Sequence, residues 1–112
     1  MGNRVSYLGE LEQMLLWTVL RLGDEAYGMA VRDELAQRAG REVARGAVYI
    51  TLDRLVKKGY LTSRLGDTGP GRRGRARRYF RVTEAGRQAL KEARDALVSV
   101  WQGLDEALEG GR

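Results

Sequence analysis

The sequence predicts a mainly α (α+β) domain of 112 residues, with three short helices, one β-hairpin and a long terminal helix. Three observations carry that prediction. Apolar residues recur at helical spacing in four separate stretches, the first three closed by glycine. Two short alternating segments flank a glycine-rich loop, the pattern of a hairpin. The charge, finally, is concentrated in one place. Six arginines stand within the ten residues 72–81, and from Arg64 through Arg81 seven arginines meet a single acid, Asp67. That window carries +6 in a chain whose total is +5, so everything outside it sums to −1. Charge focused this way usually faces a polyanion, most often nucleic acid for a small protein. The bland alternative is a solvated arginine-rich loop.

Length and composition set further bounds. A chain this short builds one compact unit with a modest core, which a homodimer would enlarge. Residues 1–83 are expected to form the hairpin-bearing domain and residues 84–112 its C-terminal helix. No apolar run approaches the ~20 residues that span a bilayer, and the N-terminus does not begin a signal peptide. With no Cys and no targeting signal, a cytoplasmic location is the simplest expectation. Catalysis is disfavoured. Without His or Cys there is no imidazole base, thiolate or ordinary zinc site, and Ser6, Ser63 and Ser99 have no triad partner. Acid pairs such as Asp24-Glu25 and Asp33-Glu34 read as solvated helix faces. No cofactor is expected.

The elements follow in order. From Leu8 to Leu22 the positions Leu8, Leu11, Leu15, Val19 and Leu22 keep helical spacing, while Met14, Leu16, Trp17 and Leu20 fill much of the other side. A helix apolar nearly all round is buried on two sides. Gly23-Asp24 ends it. A second helix spans Gly28 to Ala39, with Gly40 suited to the left-handed position beyond its end. A third runs from about Arg45 to Lys58, inward on Val48, Leu52, Leu55 and Val56, and stops at Gly59. Tyr60 to Leu65 and Arg77 to Val82 read as strands, because the four glycines and one proline between Gly66 and Gly74 forbid a helix. Thr83 before Glu84 is a helix N-cap. The last helix is expected from Glu84 to Leu108, with Leu90, Ala93, Leu97, Trp101, Leu104 and Leu108 at alternating spacings of three and four. That spacing is a pairing seam for a second helix.

This order is that of a winged helix-turn-helix with a C-terminal dimerisation helix. The segments Leu8-Gly9-Glu10-Leu11-Glu12, Ala26-Tyr27-Gly28, Arg45 through Leu55, Lys58 through Arg64 and Gly74 through Gly86 resemble the short-tailed subgroup of the PadR family of bacterial transcriptional regulators. The likeness covers roughly Leu8 to Leu90. It implies a dimeric, repressor-type DNA-binding regulator released by a small, often aromatic or drug-like effector. Ala44 departs from the family, which commonly has Ser at the start of the reading helix.

The third helix is the expected DNA reader. With Val48, Leu52 and Leu55 inward, its outward face holds Gly46, Ile50, Asp53, Arg54 and Lys57. An exposed Ile suits a thymine methyl and an Arg reaches guanine. Arg45 is placed for a phosphate or a base edge. Tyr49 lies on the flank, either touching DNA or packing with its phenol at the rim. Asp53 could accept from a cytosine amine, or hold Arg54 or Lys57 in position. In the wing, Arg72, Arg73, Arg75 and Arg77 suit phosphate or minor-groove contacts. Strand parity puts Arg77, Tyr79 and Arg81 on one face and Arg78, Phe80 and Val82 on the other, so Arg78 sits at a sheet rim.

Leu90, Leu97, Trp101, Leu104 and Leu108 are the expected dimerisation residues. Trp17 and Trp101 either clamp an aromatic effector at the dimer interface or simply pack there. Two functions remain open on these grounds. One is a homodimeric reader of a palindromic operator in double-stranded DNA. The other is a winged-helix interaction module that binds RNA or an acidic protein.

Overall fold

A computed structural model describes residues 8–66 and 76–110. Helix α1 (Glu10–Leu22) begins where the Gly9 N–H donates to Glu12 Oε1 at 2.9 Å, and it ends at Gly23, whose φ of 60° no larger residue adopts easily. Leu15, Leu16 and Val19 are fully buried on it, while Trp17 and Leu20 emerge on the opposite side. Within the single chain, then, only one of the two sides expected to be buried is covered. A 3₁₀ turn, Gly23–Glu25, leads to α2 (Gly28–Ala39), which closes at Gly40 in the left-handed conformation expected of it. The turn into α3 (Arg45–Lys57) is tied to α2 by Arg32 Nε, which donates to the Val43 carbonyl at 2.7 Å.

The hairpin is β1 (Leu61–Leu65) against β2 (Arg78–Val82), antiparallel, with Ser63 opposite Phe80 and Arg64 opposite Tyr79. Tyr27 adds a single bridge to Tyr79, and the Phe80 N–H donates to the Ala26 carbonyl. The sheet thus fastens to the segment just before α2. Leu61, Phe80 and Val82 turn inward onto a core shared with Val31, Val48, Leu52 and Leu55. Thr83 caps helix α4 (Glu84–Trp101): its hydroxyl oxygen accepts from the Gly86 N–H at 3.0 Å and donates to the Gly59 carbonyl at 2.7 Å. Gly86 allows this close seat, since a Cβ there would overlap the Tyr60 carbonyl oxygen.

Two expectations about the C-terminal helix are corrected. It does not run to Leu108. It ends at Trp101, because Gln102 is extended and Gly103 takes a φ of 89°, and a separate short helix α5 (Asp105–Leu108) follows. The three-and-four spacing of Leu104 and Leu108 therefore passes through a break in the helix rather than along it. Leu90 is likewise no free seam residue. At 1% exposure it belongs to the protomer's own core. The remainder of α4 stands away from the body. The radius of gyration is 16.5 Å, against about 13 Å for a compact chain of this length, and the long dimension reaches 58 Å.

Candidate nucleic-acid interface

Helix α3 is amphipathic in the sense the sequence predicts. Val48, Leu52 and Leu55 are buried to the last atom, and Thr51 lies beside them. The other side presents Arg45, Gly46, Ile50, Asp53, Arg54 and Lys57 to solvent. Ile50 is 60% exposed, although an aliphatic side chain of this size gains from burial. Such a residue among cations, on a helix free on one side, has the form of a groove-reading surface.

Tyr49 occupies the flank, half-buried. Its ring lies against α2 where Gly28 has no side chain, and a Cβ at Gly28 would overlap the phenol. Packing therefore holds this ring, and its outer side meets the Arg45 guanidinium at 6.0 Å from the centroid. Asp53 takes a partner not foreseen. Its carboxylate accepts from Arg78 Nη1 of β2 at 2.6 Å, so it joins α3 to the hairpin rather than pairing with Arg54 or Lys57. Arg78 also stacks on Phe80 at 4.8 Å, as a half-buried residue at the sheet rim.

Strand parity separates the other hairpin arginines correctly. Arg77 and Arg81 are exposed, and Arg81 pairs with Asp24 at 2.9 Å. Arg77 lies over the Tyr27 ring at 3.9 Å, Tyr27 meets Tyr79 edge to face at 5.6 Å, and Arg64 covers Tyr79 at 4.7 Å. Arg64 belongs to the basic window, and only the hairpin register, which sets it opposite Tyr79, distinguishes it there. Arg72, Arg73 and Arg75 lie outside the described residues.

The end of α3 is held electrostatically. Lys58 Nζ donates to both oxygens of the buried Glu12, at 2.8 and 2.9 Å. Burial pushes the Glu12 carboxyl up, but Lys58, the Gly9 N–H and the Arg54 charge together hold it below its usual 4.5.

Among the described residues, the groove at Trp17 does not extend to Trp101. Trp17 lines an open groove of about 440 Å³ with Thr18, Leu20, Arg21 and Arg38, and Trp101 is not part of its wall. Both rings are about two-fifths exposed. Leu97, Val100, Leu104 and Leu108 are likewise exposed along the C-terminal segment. Among the described residues no group of three or more Asp, Glu, His or Cys could hold a metal, and no helix is long and apolar enough to cross a membrane.

Comparison with known proteins agrees with this architecture. Transcriptional regulator Rv3488 of Mycobacterium tuberculosis is 45% identical over 76 residues, which are 66% of this chain and 64% of that protein, so the chain spans a little under two thirds of that relative. A PadR family regulator from Eggerthella lenta superposes with a TM-score of 0.66 at 29% identity, over 89% of this chain and 87% of the other. PadR of Bacillus subtilis, solved in complex with operator DNA, shares the fold with a TM-score of 0.63 at 21% identity, over 73% of this chain and 45% of the other. The model of the transcriptional regulator PadR-like family matches residues 16–92, from the middle of α1 into α4. The fold is a winged helix-turn-helix, and the chain belongs to the PadR-like family of transcriptional regulators.

Proposed function

We propose that the protein is a homodimeric, sequence-specific DNA-binding repressor of the cytoplasm. The observation that carries this reading is the exposed face of α3, where Ile50 stands among Arg45, Arg54 and Lys57. Beside it lies a hairpin whose sequence is strongly basic. The Bacillus subtilis relative that shares the fold was solved on operator DNA, which supports the same use here. Two-fold symmetry suits a palindromic operator, with one α3 per half-site. The exposed apolar residues of α4, together with Trp17 and Leu20 on α1, are the surface on which a second copy would pack. Arg72, Arg73, Arg75 and Arg77 serve as backbone contacts of the wing.

A small hydrophobic or aromatic effector would bind where Trp17 and Trp101 approach across the dimer and would release the operator. Quenching of tryptophan fluorescence by such compounds, weakened by operator DNA, is the matching observation. Quenching indifferent to DNA would leave both rings as packing. The main reading is tested by fluorescence anisotropy with duplex DNA across salt concentrations. The wild type should bind with a steep salt dependence that the double change Arg73→Ala, Arg75→Ala flattens. Preference for RNA or an acidic protein over duplex DNA would instead establish an interaction module.

A further inference from the structure

The ion pairs sort five arginines of the hairpin and the start of α3 into two groups. Arg78 and Arg81 of β2 are neutralised by Asp53 and Asp24. Arg45, Arg64 and Arg77 make no ion pair among the described residues, and each instead lies on a tyrosine: Arg45 on Tyr49, Arg77 on Tyr27 and Arg64 on Tyr79. Tyr49 packs at Gly28, the neighbour of Tyr27, and Tyr27 meets Tyr79 edge to face. Tyr27 and Tyr79 thus form one aromatic floor at the root of the hairpin, carrying Arg77 and Arg64, while Tyr49 at the start of α3 carries Arg45.

A guanidinium laid on an aromatic face keeps the N–H groups of its rim free while its plane is fixed. Donors held in a fork match a phosphate, which accepts two of them side by side. An isolated flexible arginine must be ordered when it binds; one already stacked loses less freedom. Carboxylates within hydrogen-bonding reach would defeat such a contact, and these three arginines have none among the described residues.

We propose that Arg64 is a DNA-backbone contact beside Arg77, and that Tyr79 and Tyr27 are positioning residues that hold Arg64 and Arg77 toward the phosphates. The proposal rests on the DNA-binding reading above and extends the interface from the wing tip to the outer face of the hairpin root. It makes that root a rigid part of the contact.

The test is anisotropy titration of the full-length protein with duplex DNA between 50 mM and 300 mM salt. Arg64→Gln alters an exposed side chain and removes one phosphate contact per protomer. At a slope of about 0.9 per contact, two lost contacts reduce the salt slope by about 1.8 and weaken binding about sixtyfold at 0.1 M salt. Tyr79→Leu leaves the charge and should leave the slope near wild type, yet weaken binding roughly five- to thirtyfold for two copies of an exposed stacking pair. Tyr79→Phe keeps the ring face and should bind like wild type. Thermal unfolding of each variant, with Tyr27→Leu as a second ring deletion, separates lost positioning from lost folding. Wild-type affinity and slope in Arg64→Gln would overturn the proposed contact. Equal losses in Tyr79→Phe and Tyr79→Leu would overturn the positioning role of the ring. Failure of the wild type to bind any duplex would instead refute the underlying reading.

Discussion

Leu97 tests how the protein assembles. It is 59% exposed in the single chain, about two turns beyond Leu90, the last residue of α4 in the core. Burying a leucine completely contributes about 1.5–3 kcal/mol. Covering the exposed part of Leu97 in a dimer should therefore contribute roughly 1–2 kcal/mol per protomer, or about 2–4 kcal/mol for both copies. Leu97→Asp forfeits that gain and adds the cost of taking a carboxylate out of water, so the dimer should weaken by well over about 30- to 1,000-fold. The monomer should survive, because the introduced carboxylate would be solvated there. Sedimentation velocity across a dilution series, with circular dichroism on the same samples, reads both quantities. Leu90→Asp is the contrasting variant: at 1% exposure its charge falls inside the core, and that chain should fail to fold. A wild type that sediments as a folded monomer, or a Leu97→Asp protein with an unchanged dimer constant, would refute the reasoning.

Ile50→Ala and Arg54→Ala should each change sequence preference by about 1–3 kcal/mol at one base position per half-site; competition binding with single-base operator variants checks this, and a uniform loss across variants would place the reading face elsewhere. Gly86→Ala drives a methyl into the Tyr60 carbonyl oxygen and should destabilise the fold by about 1–2 kcal/mol despite the better helix propensity of Ala, measured by thermal unfolding. Glu12 has its folded pKa lowered below 4.5, so its stabilisation is present above that pH and fades as pH falls through the folded value. Glu12→Gln should accordingly cost about 1–3 kcal/mol in urea unfolding at pH 7, with the gap to wild type closing toward acid. A constant gap down to pH 3 would remove the carboxylate–Lys58 pair from the account.

Capping and strand alternation are legible in the sequence because each depends on a few adjacent residues. Gly40 ends α2 in the left-handed conformation, and Thr83 caps α4 through its hydroxyl. The period of two along residues 77–82 puts Phe80 inside and Arg77 and Arg81 outside. Periodicity misleads where it passes through a residue that can break the helix. Leu104 and Leu108 keep the spacing of a seam, but Gly103 has no side chain to disfavour a positive φ, and the helix stops before it. Leu90 has the same spacing as Leu97 and a different fate, since only packing of the first turns of α4 on the body distinguishes them.

Long-range partners were the other hidden part. Asp53 finds Arg78 25 residues away and Glu12 finds Lys58 46 residues away. Several acids and several bases stand on each surface, and only the fold selects which of them meet. The stacking of Arg64 on Tyr79 likewise depends on hairpin register, which no single strand specifies.

The central claim is that α3 reads base sequence as part of a two-fold dimer. Selection of binding sites from random duplex DNA addresses it most directly. The account predicts enrichment of a palindrome whose half-sites lie about one helical turn, roughly 34–36 Å, or a multiple of it apart, with the enriched motif altered at one position per half-site in Arg54→Ala. Recovery of sequences with no shared motif, bound no more tightly than the starting pool, would contradict it.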